Sequence, residues 1–115
     1  MSRSNIEYLK HALDEIDFLE KQTQNLAEDG FMQDELMQHA FIRSLEIIGE
    51  AVKQIPEEIR NKYKNIDWKA YAGFRDKLIH HYFGVDYALV WDVIINELPE
   101  LKKKLFFVLE QEKAI

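Results

Sequence analysis

The segment Trp68-Lys69-Ala70-Tyr71-Ala72-Gly73-Phe74-Arg75-Asp76-Lys77-Leu78-Ile79-His80-His81-Tyr82-Phe83-Gly84 repeats its apolar side chains at helical intervals and crowds its polar chemistry into two turns. Tyr71, Phe74 and Leu78 make an inward stripe, with Phe83 at its end. Asp67 ahead of the segment is a good N-cap, and Gly84 behind it tolerates the left-handed conformation that closes a helix. The pattern predicts one helix from Trp68 to Tyr82, with His80, His81 and Tyr82 in an exposed last turn whose carbonyl dipoles favour a protonated imidazole. At about 100° per residue, Asp76 and His80 share a face, and Arg75 and Tyr82 nearly eclipse. His80 lies roughly 140° round from Arg75, so one helix alone does not converge both on a phosphate. A second copy of the helix supplies the missing partner.

Outward from this segment the chain reads as helix throughout. On the C-terminal side Asp86 can cap a last helix whose apolar positions are Val90, Trp91, Ile94, Ile95 and Leu98, then Leu101, Leu105, Val108 and Leu109. Pro99 either kinks it or opens a new helix in its first turn, ahead of a basic patch at Lys102-Lys103-Lys104. On the N-terminal side Pro56 ends the preceding helix and starts a short one from Glu57 to Lys62. The second helix runs from Phe31 or Asp34 to Ile55 on Met37, Phe41, Leu45, Ile48, Val52 and Ile55. Gly49 lies inside it, at a cost of up to about 1 kcal/mol against alanine, which points to close approach of another helix. The first helix starts at the Ser4–Glu7 capping box, follows Ile6, Leu9, Leu13, Ile16 and Leu19, and fades toward an Asp29-Gly30 turn. The expectation is an all-α, up-down bundle of four main helices plus a short extra one, residues 1–115 forming a single domain.

The 115 residues can bury one modest core, and a helical domain this small often completes its core by dimerising. Cysteine is absent, which removes disulfides and thiolate metal sites. No secretory leader or membrane-length apolar run is visible, so the expected compartment is the cytoplasm. The net charge of −6 argues against a broad nucleic-acid-binding surface. Its placement is uneven: residues 1–50 carry 11 Asp/Glu against 4 Lys/Arg, and residues 51–115 carry 10 against 11. The half with the polar segment is not acidic, and the acidic half reads as a solvated helix surface.

Taken singly, each candidate has a plain role: Arg75 in a surface ion pair, His80 as a structural imidazole near a helix end, Tyr82 as a half-buried aromatic. His81 sits opposite the Arg75–Tyr82 face and reads as non-catalytic. His11 and His39 are isolated, and no two-His-one-carboxylate spacing suggests a metal, so neither metal nor cofactor is expected. The two tryptophans read as core anchors.

Together, Arg75, His80 and Tyr82 spell R-x4-H-x-Y. With Trp68, Phe74, Asp76, Phe83-Gly84-Val85-Asp86 and the later Leu98-Pro99-Glu100-Leu101, the string resembles the HepT-like toxins of the HEPN superfamily over Trp68 to Leu101. The resemblance implies an endoribonuclease toxin of a toxin–antitoxin pair, a homodimer acting on RNA without a metal. Arg75 would be the phosphate-binding cation, His80 the acid or base, and Asp76 the group that orients it. It further implies a partner, a minimal nucleotidyltransferase antitoxin that transfers AMP to Tyr82. The residue chemistry agrees. His80 titrates near neutrality, and Arg75 offers a permanent bidentate fork to a phosphate whose charge grows in the transition state. The alternative is a non-catalytic helical module that binds a nucleotide or partners a nucleotidyltransferase.

Overall fold

The computed structural model describes the backbone of residues 3–80 and 84–113, and the side chains of residues 6–78 and 84–113. Over these the chain is all-α apart from one two-residue strand pair. Two long helices, α1 (Arg3–Thr23) and α3 (Glu35–Lys53), pack together, with the short α2 (Glu28–Gln33) between them in sequence. The short α4 (Glu57–Lys62) leads to α5 (Trp68–Ala72) and α6 (Phe74–Leu78), and α5 lies on α3. After the strands β1 (Ile79–His80) and β2 (Gly84–Val85), α7 (Tyr87–Asp92), a π-helical turn (Val93–Glu97) and α8 (Leu98–Lys113) form one rod whose last part packs on α1.

Three aspartates start helices, Asp67 and Asp86 as expected and Asp34 in addition. Asp34, Asp67 and Asp86 accept the amides of Met37, Ala70 and Leu89 at 3.0, 3.1 and 3.1 Å, each satisfying a donor that the first turn leaves open. At the other end of α3, Arg60 does the opposite job. Its Nε donates to the Ile55 carbonyl at 2.8 Å, and its Nη2 to those of Val52 and Lys53 at 3.2 and 2.7 Å. Pro56 is the N-cap of α4, one position earlier than expected.

The core is the union of the apolar stripes. Leu9, Ile16, Leu19, Phe41, Leu45, Ile48, Phe74, Leu78, Leu98, Leu101 and Leu105 are all but fully enclosed. Trp68 is buried and donates from Nε1 to the Tyr63 carbonyl at 3.0 Å, while the half-buried Trp91 lies 5.4 Å from the Phe31 ring.

Several expectations need correction. Asp29 and Gly30 are not a turn; both lie inside α2, which brings Phe31 into the core, where it stacks on Phe41 at 5.0 Å. Helix α1 is already under way at Arg3, so Ser4 is a helical residue and not its cap. Ile95 is largely solvent-facing, and Val93 takes the core position instead.

The third main helix, expected from Trp68 to Tyr82, is two short pieces. Gly73 bends it at φ −92°, ψ 12°, yet the hydrogen-bond ladder carries across, Gly73 donating to Lys69 and Lys77 to Gly73 at 3.0 and 3.1 Å. The helix then stops at Leu78. Its Leu78 carbonyl takes the Asp86 amide at 3.0 Å, and the chain folds back with Ile79 opposite Val85 and His80 opposite Gly84. Gly84, at φ +79°, pairs with His80 in this strand pair and does not terminate a helix. Pro99 falls in the first turn of α8. Proline cannot donate to the carbonyl four residues back and crowds it. The turn just before it widens, so that the Leu98 amide reaches the Val93 carbonyl.

Candidate active site

Helix α3 turns two faces to its surroundings. Phe41, Leu45, Ile48 and Val52 go inward, and Arg43, Glu46, Glu50 and Lys53 form a charged stripe at intervals of three and four. Tyr8 and His11 of α1 stand on one side of this stripe, and Ala72, Arg75 and Asp76 of α5 and α6 on the other. Together they enclose a cleft of about 630 Å³ with Ile47, Gly49 and Ala51 on its floor. Both signs of charge line it.

The register between α3 and the α5–α6 path is set at Gly49. A Cβ there would stand 3.2 Å from the Ala72 carbonyl oxygen, closer than packed helices ordinarily allow, and in ordinary contact with that of Tyr71 at 3.5 Å. The close approach expected of this glycine is therefore met by backbone. One turn along each helix, in opposite directions, the next rung is an ion pair: Arg75 Nε donates to Glu46 Oε2 at 3.3 Å. Gly49 and Glu46 are three apart on α3; Ala72 and Arg75 are three apart on the other path. The glycine contact thus fixes which carboxylate the arginine meets.

The α5–α6 path is itself well anchored. Tyr71 packs edge-on to Phe74 at 5.5 Å, and burial first, then the carboxylates of Glu100, Glu97 and Asp67, raises the Tyr71 phenol above its ordinary pKa of 10.0. Lys77 pairs with Glu97 of the π turn at 3.5 Å. Arg75 nevertheless keeps 58% of its side chain exposed, and Nε carries its one hydrogen bond among the described residues. Among the described residues its terminal guanidinium nitrogens have no partner.

Of the site residues expected from sequence, Arg75 and Asp76 lie side by side on the cleft. His80 is in β1, so it does not share a helical face with Asp76, and the eclipsing of Arg75 with Tyr82 has no helix to rest on. The His80 side chain lies outside the described residues, as do His81, Tyr82 and Phe83. His11, read as isolated, lines the same cleft as Arg75. Glu46, Arg43 and Tyr8 were not singled out either; the only signal was the three- and four-residue spacing of Arg43, Glu46 and Glu50 opposite the apolar face of α3. Among the described residues no group of three His, Asp or Glu side chains is arranged to hold a metal ion. No helix among them is long and apolar enough to cross a membrane.

Some of the acidic surface of α1 is satisfied within the chain. Lys102 Nζ stands 2.9 Å from Glu20 and 3.0 Å from Asp17, and the hydrogen bonds it donates to these two carboxylates, Glu20 first, raise its pKa. Lys104 pairs with Glu100 at 3.8 Å. The expected basic patch is thereby partly neutralised.

The profile of the family described as "Ribonuclease HepT-like" matches residues 12–106. A protein of Caldanaerobacter subterraneus subsp. tengcongensis, named as a candidate RNase, is 48% identical over 106 residues, covering 92% of this chain and 95% of that one. A candidate RNase of Methanocaldococcus jannaschii is 48% identical over 97 residues, or 84% of this chain and 77% of that one. A protein of Thermococcus cleftensis named as a probable ribonuclease HepT is 41% identical over 104 residues, with 90% and 94% covered. No solved structure matches the chain.

Proposed function

This chain belongs to the HepT-like ribonuclease family, and from that membership we propose that it is an endoribonuclease whose reaction is centred on Arg75 and His80. The observation that carries the reading is the exposed Arg75 guanidinium, held through Nε at the cleft, with its terminal nitrogens unpartnered among the described residues. A guanidinium so held is a fixed fork for a phosphodiester. The reaction is transesterification: the ribose 2′-hydroxyl, deprotonated by an imidazole, attacks the adjacent phosphorus as the bond to the 5′-oxygen breaks. The products are a 2′,3′-cyclic phosphate and a 5′-hydroxyl, the leaving oxygen taking its proton from a second imidazole. Arg75 stabilises the charge that develops on the non-bridging oxygens. No metal is needed for these steps.

One motif histidine per chain serves a reaction that uses a base and an acid, so the working unit is a homodimer in which two copies of His80 share a cleft. Asp76 orients the imidazole. In its biological setting the protein is the cytoplasmic toxin of a toxin–antitoxin pair. Its partner is a minimal nucleotidyltransferase that silences it by placing AMP on Tyr82.

The test is incubation of wild type, Arg75→Ala and His80→Ala with total RNA in EDTA, with end mapping and a solution mass. Cleavage by a wild-type dimer to cyclic phosphate ends, reduced at least about a hundredfold in each variant, supports the reading. No cleavage by a wild type shown by intact mass to lack AMP replaces it with the non-catalytic nucleotide-binding module.

A further inference from the structure

We propose that Glu46 is a positioning residue of the ribonuclease site, holding the Arg75 guanidinium by Nε so that its two terminal nitrogens are presented together to the RNA phosphate. The inference rests on the ribonuclease reading and adds to it a residue outside the R-x4-H-x-Y segment, 29 residues upstream of Arg75 on α3.

Arginine has two bidentate edges, one through Nε and one Nη, the other through both Nη groups. Glu46 Oε2 occupies Nε, so the remaining edge is the one made of the two Nη groups. Without an anchor, a side chain 58% exposed samples many rotamers, and a charge that wanders stabilises a transition state less than one already in place. The anchor is itself constrained. Glu46 is only 31% exposed and stands one turn from Gly49, where α3 touches the Ala72 carbonyl, so carboxylate and guanidinium are brought opposite each other by the packing of backbone on backbone. The cost is an anion near the incoming phosphate. Arg43, three residues earlier on α3 and lining the same cleft, brings a second cation to that stripe.

This arrangement makes a specific kinetic statement. Removing the carboxylate disorders Arg75 and also removes a repulsion toward the substrate phosphate. Turnover therefore falls while substrate binding does not weaken.

The experiment uses the full chain as wild type, Glu46→Ala and Glu46→Gln, with two readouts. The first is kcat and KM on a labelled oligoribonucleotide. The second, made without RNA, is hydrogen exchange at the Arg75 Nε–Hε group by ¹⁵N NMR, assigned by its loss in Arg75→Lys. Glu46→Ala is expected to lower kcat about tenfold at an unchanged or lower KM, and to speed Hε exchange. Glu46→Gln, whose amide oxygen still accepts from Nε, recovers part of both. Wild-type kcat in Glu46→Ala, or Hε exchange indifferent to Glu46, overturns the proposal. So does an equal loss in both variants accompanied by a lower melting temperature, which marks a merely structural role. A wild type that cleaves no RNA removes the ribonuclease reading and the positioning role with it. Hε exchange that still responds to Glu46 separates that failure from the absence of any hold on Arg75.

Discussion

The Tyr63 hydroxyl donates to Glu112 Oε2 at 2.6 Å, tying the turn after α4 to the last turn of α8 across 49 residues of sequence. The same oxygen receives Lys62 Nζ at 2.8 Å, and the Glu112 side chain is 2% exposed. Burial by itself raises the Glu112 pKa, but the hydrogen bonds from Lys62 and Tyr63 outweigh it and the net displacement is downward from 4.5. On Tyr63, burial, the bond to Glu112 and its charge all act upward, to about 12 from 10.0.

Stability should therefore fall at both ends of the pH scale. A carboxyl with a depressed folded pKa contributes fully above its unfolded value near 4.5 and loses that contribution as pH falls through the folded value. A phenol with a raised folded pKa contributes fully below 10.0 and loses its contribution as pH climbs toward 12. Glu112→Ala leaves a buried hydroxyl without its acceptor, for a loss of about 2 kcal/mol at neutral pH. Tyr63→Phe should flatten the alkaline limb and spare much of the acid one. Urea unfolding from pH 3 to 11 checks both; parallel curves for wild type and Tyr63→Phe would count against the network.

Gly49→Ala should destabilise the protein although alanine is the better helix former. The gain in helix propensity is up to about 1 kcal/mol. The new methyl, however, meets the Ala72 carbonyl oxygen at 3.2 Å, a backbone atom that yields only if α5 shifts, and overpacking of this kind costs about 1–3 kcal/mol. A net loss of about 1 kcal/mol, larger for Gly49→Val, is expected in urea titration. RNA cleavage should fall further than stability, because the same shift moves Arg75 off Glu46.

Arg60→Ala should lower stability by about 1–2 kcal/mol, since three carbonyls at the end of α3 and the turn after it lose a charged donor. Arg60→Lys should recover little, because an ammonium cannot span the Val52, Lys53 and Ile55 oxygens as a planar fork does. Thermal melts of the three proteins decide it. Full rescue by lysine would show that charge alone matters there.

Tyr82→Phe should keep RNA cleavage within about twofold of wild type, having lost no transition-state contact, and should take up no AMP from the nucleotidyltransferase proposed above as its partner. Intact mass after incubation with ATP and the partner reads this directly. Incorporation of AMP into the phenylalanine variant would remove Tyr82 as the acceptor.

Local chemistry was legible wherever a side chain acts on its own backbone. Asp67 and Asp86 each cap the helix that follows because an aspartate one residue before an apolar stripe has one good use for its oxygen. The stripes likewise identified most of the core, and Arg75 does make the ion pair that is its plain role, with Glu46. The end of α6 was not legible. Nothing in Ile79 to Phe83 breaks a helix, and what decides is distant: the Leu78 carbonyl is claimed by the Asp86 amide as the chain turns back. Gly30 misled for a similar reason. Its glycine reads as a turn, but Phe31 gains a fully enclosed site on Phe41 if the helix runs through it. Glu46 was missed because its meeting with Arg75 depends on the register of two helices, which rests on one missing methyl group, and His11 because it reaches the same cleft from another helix, α1.

The wide turn from Val93 to Glu97 also affects which length changes the chain can absorb. A π turn holds one residue more than an α turn while the helix on each side keeps its rotation. The surplus here faces solvent, at Ile95 and Asn96. Loss of a single residue at this place would let the rod close into ordinary α-helix with Val90 and Leu101 still pointing inward. The same loss anywhere in α8 would turn every later side chain by about 100°. The rod thus contains one site of slack, next to its proline, where a length change can be taken up without rotating either half.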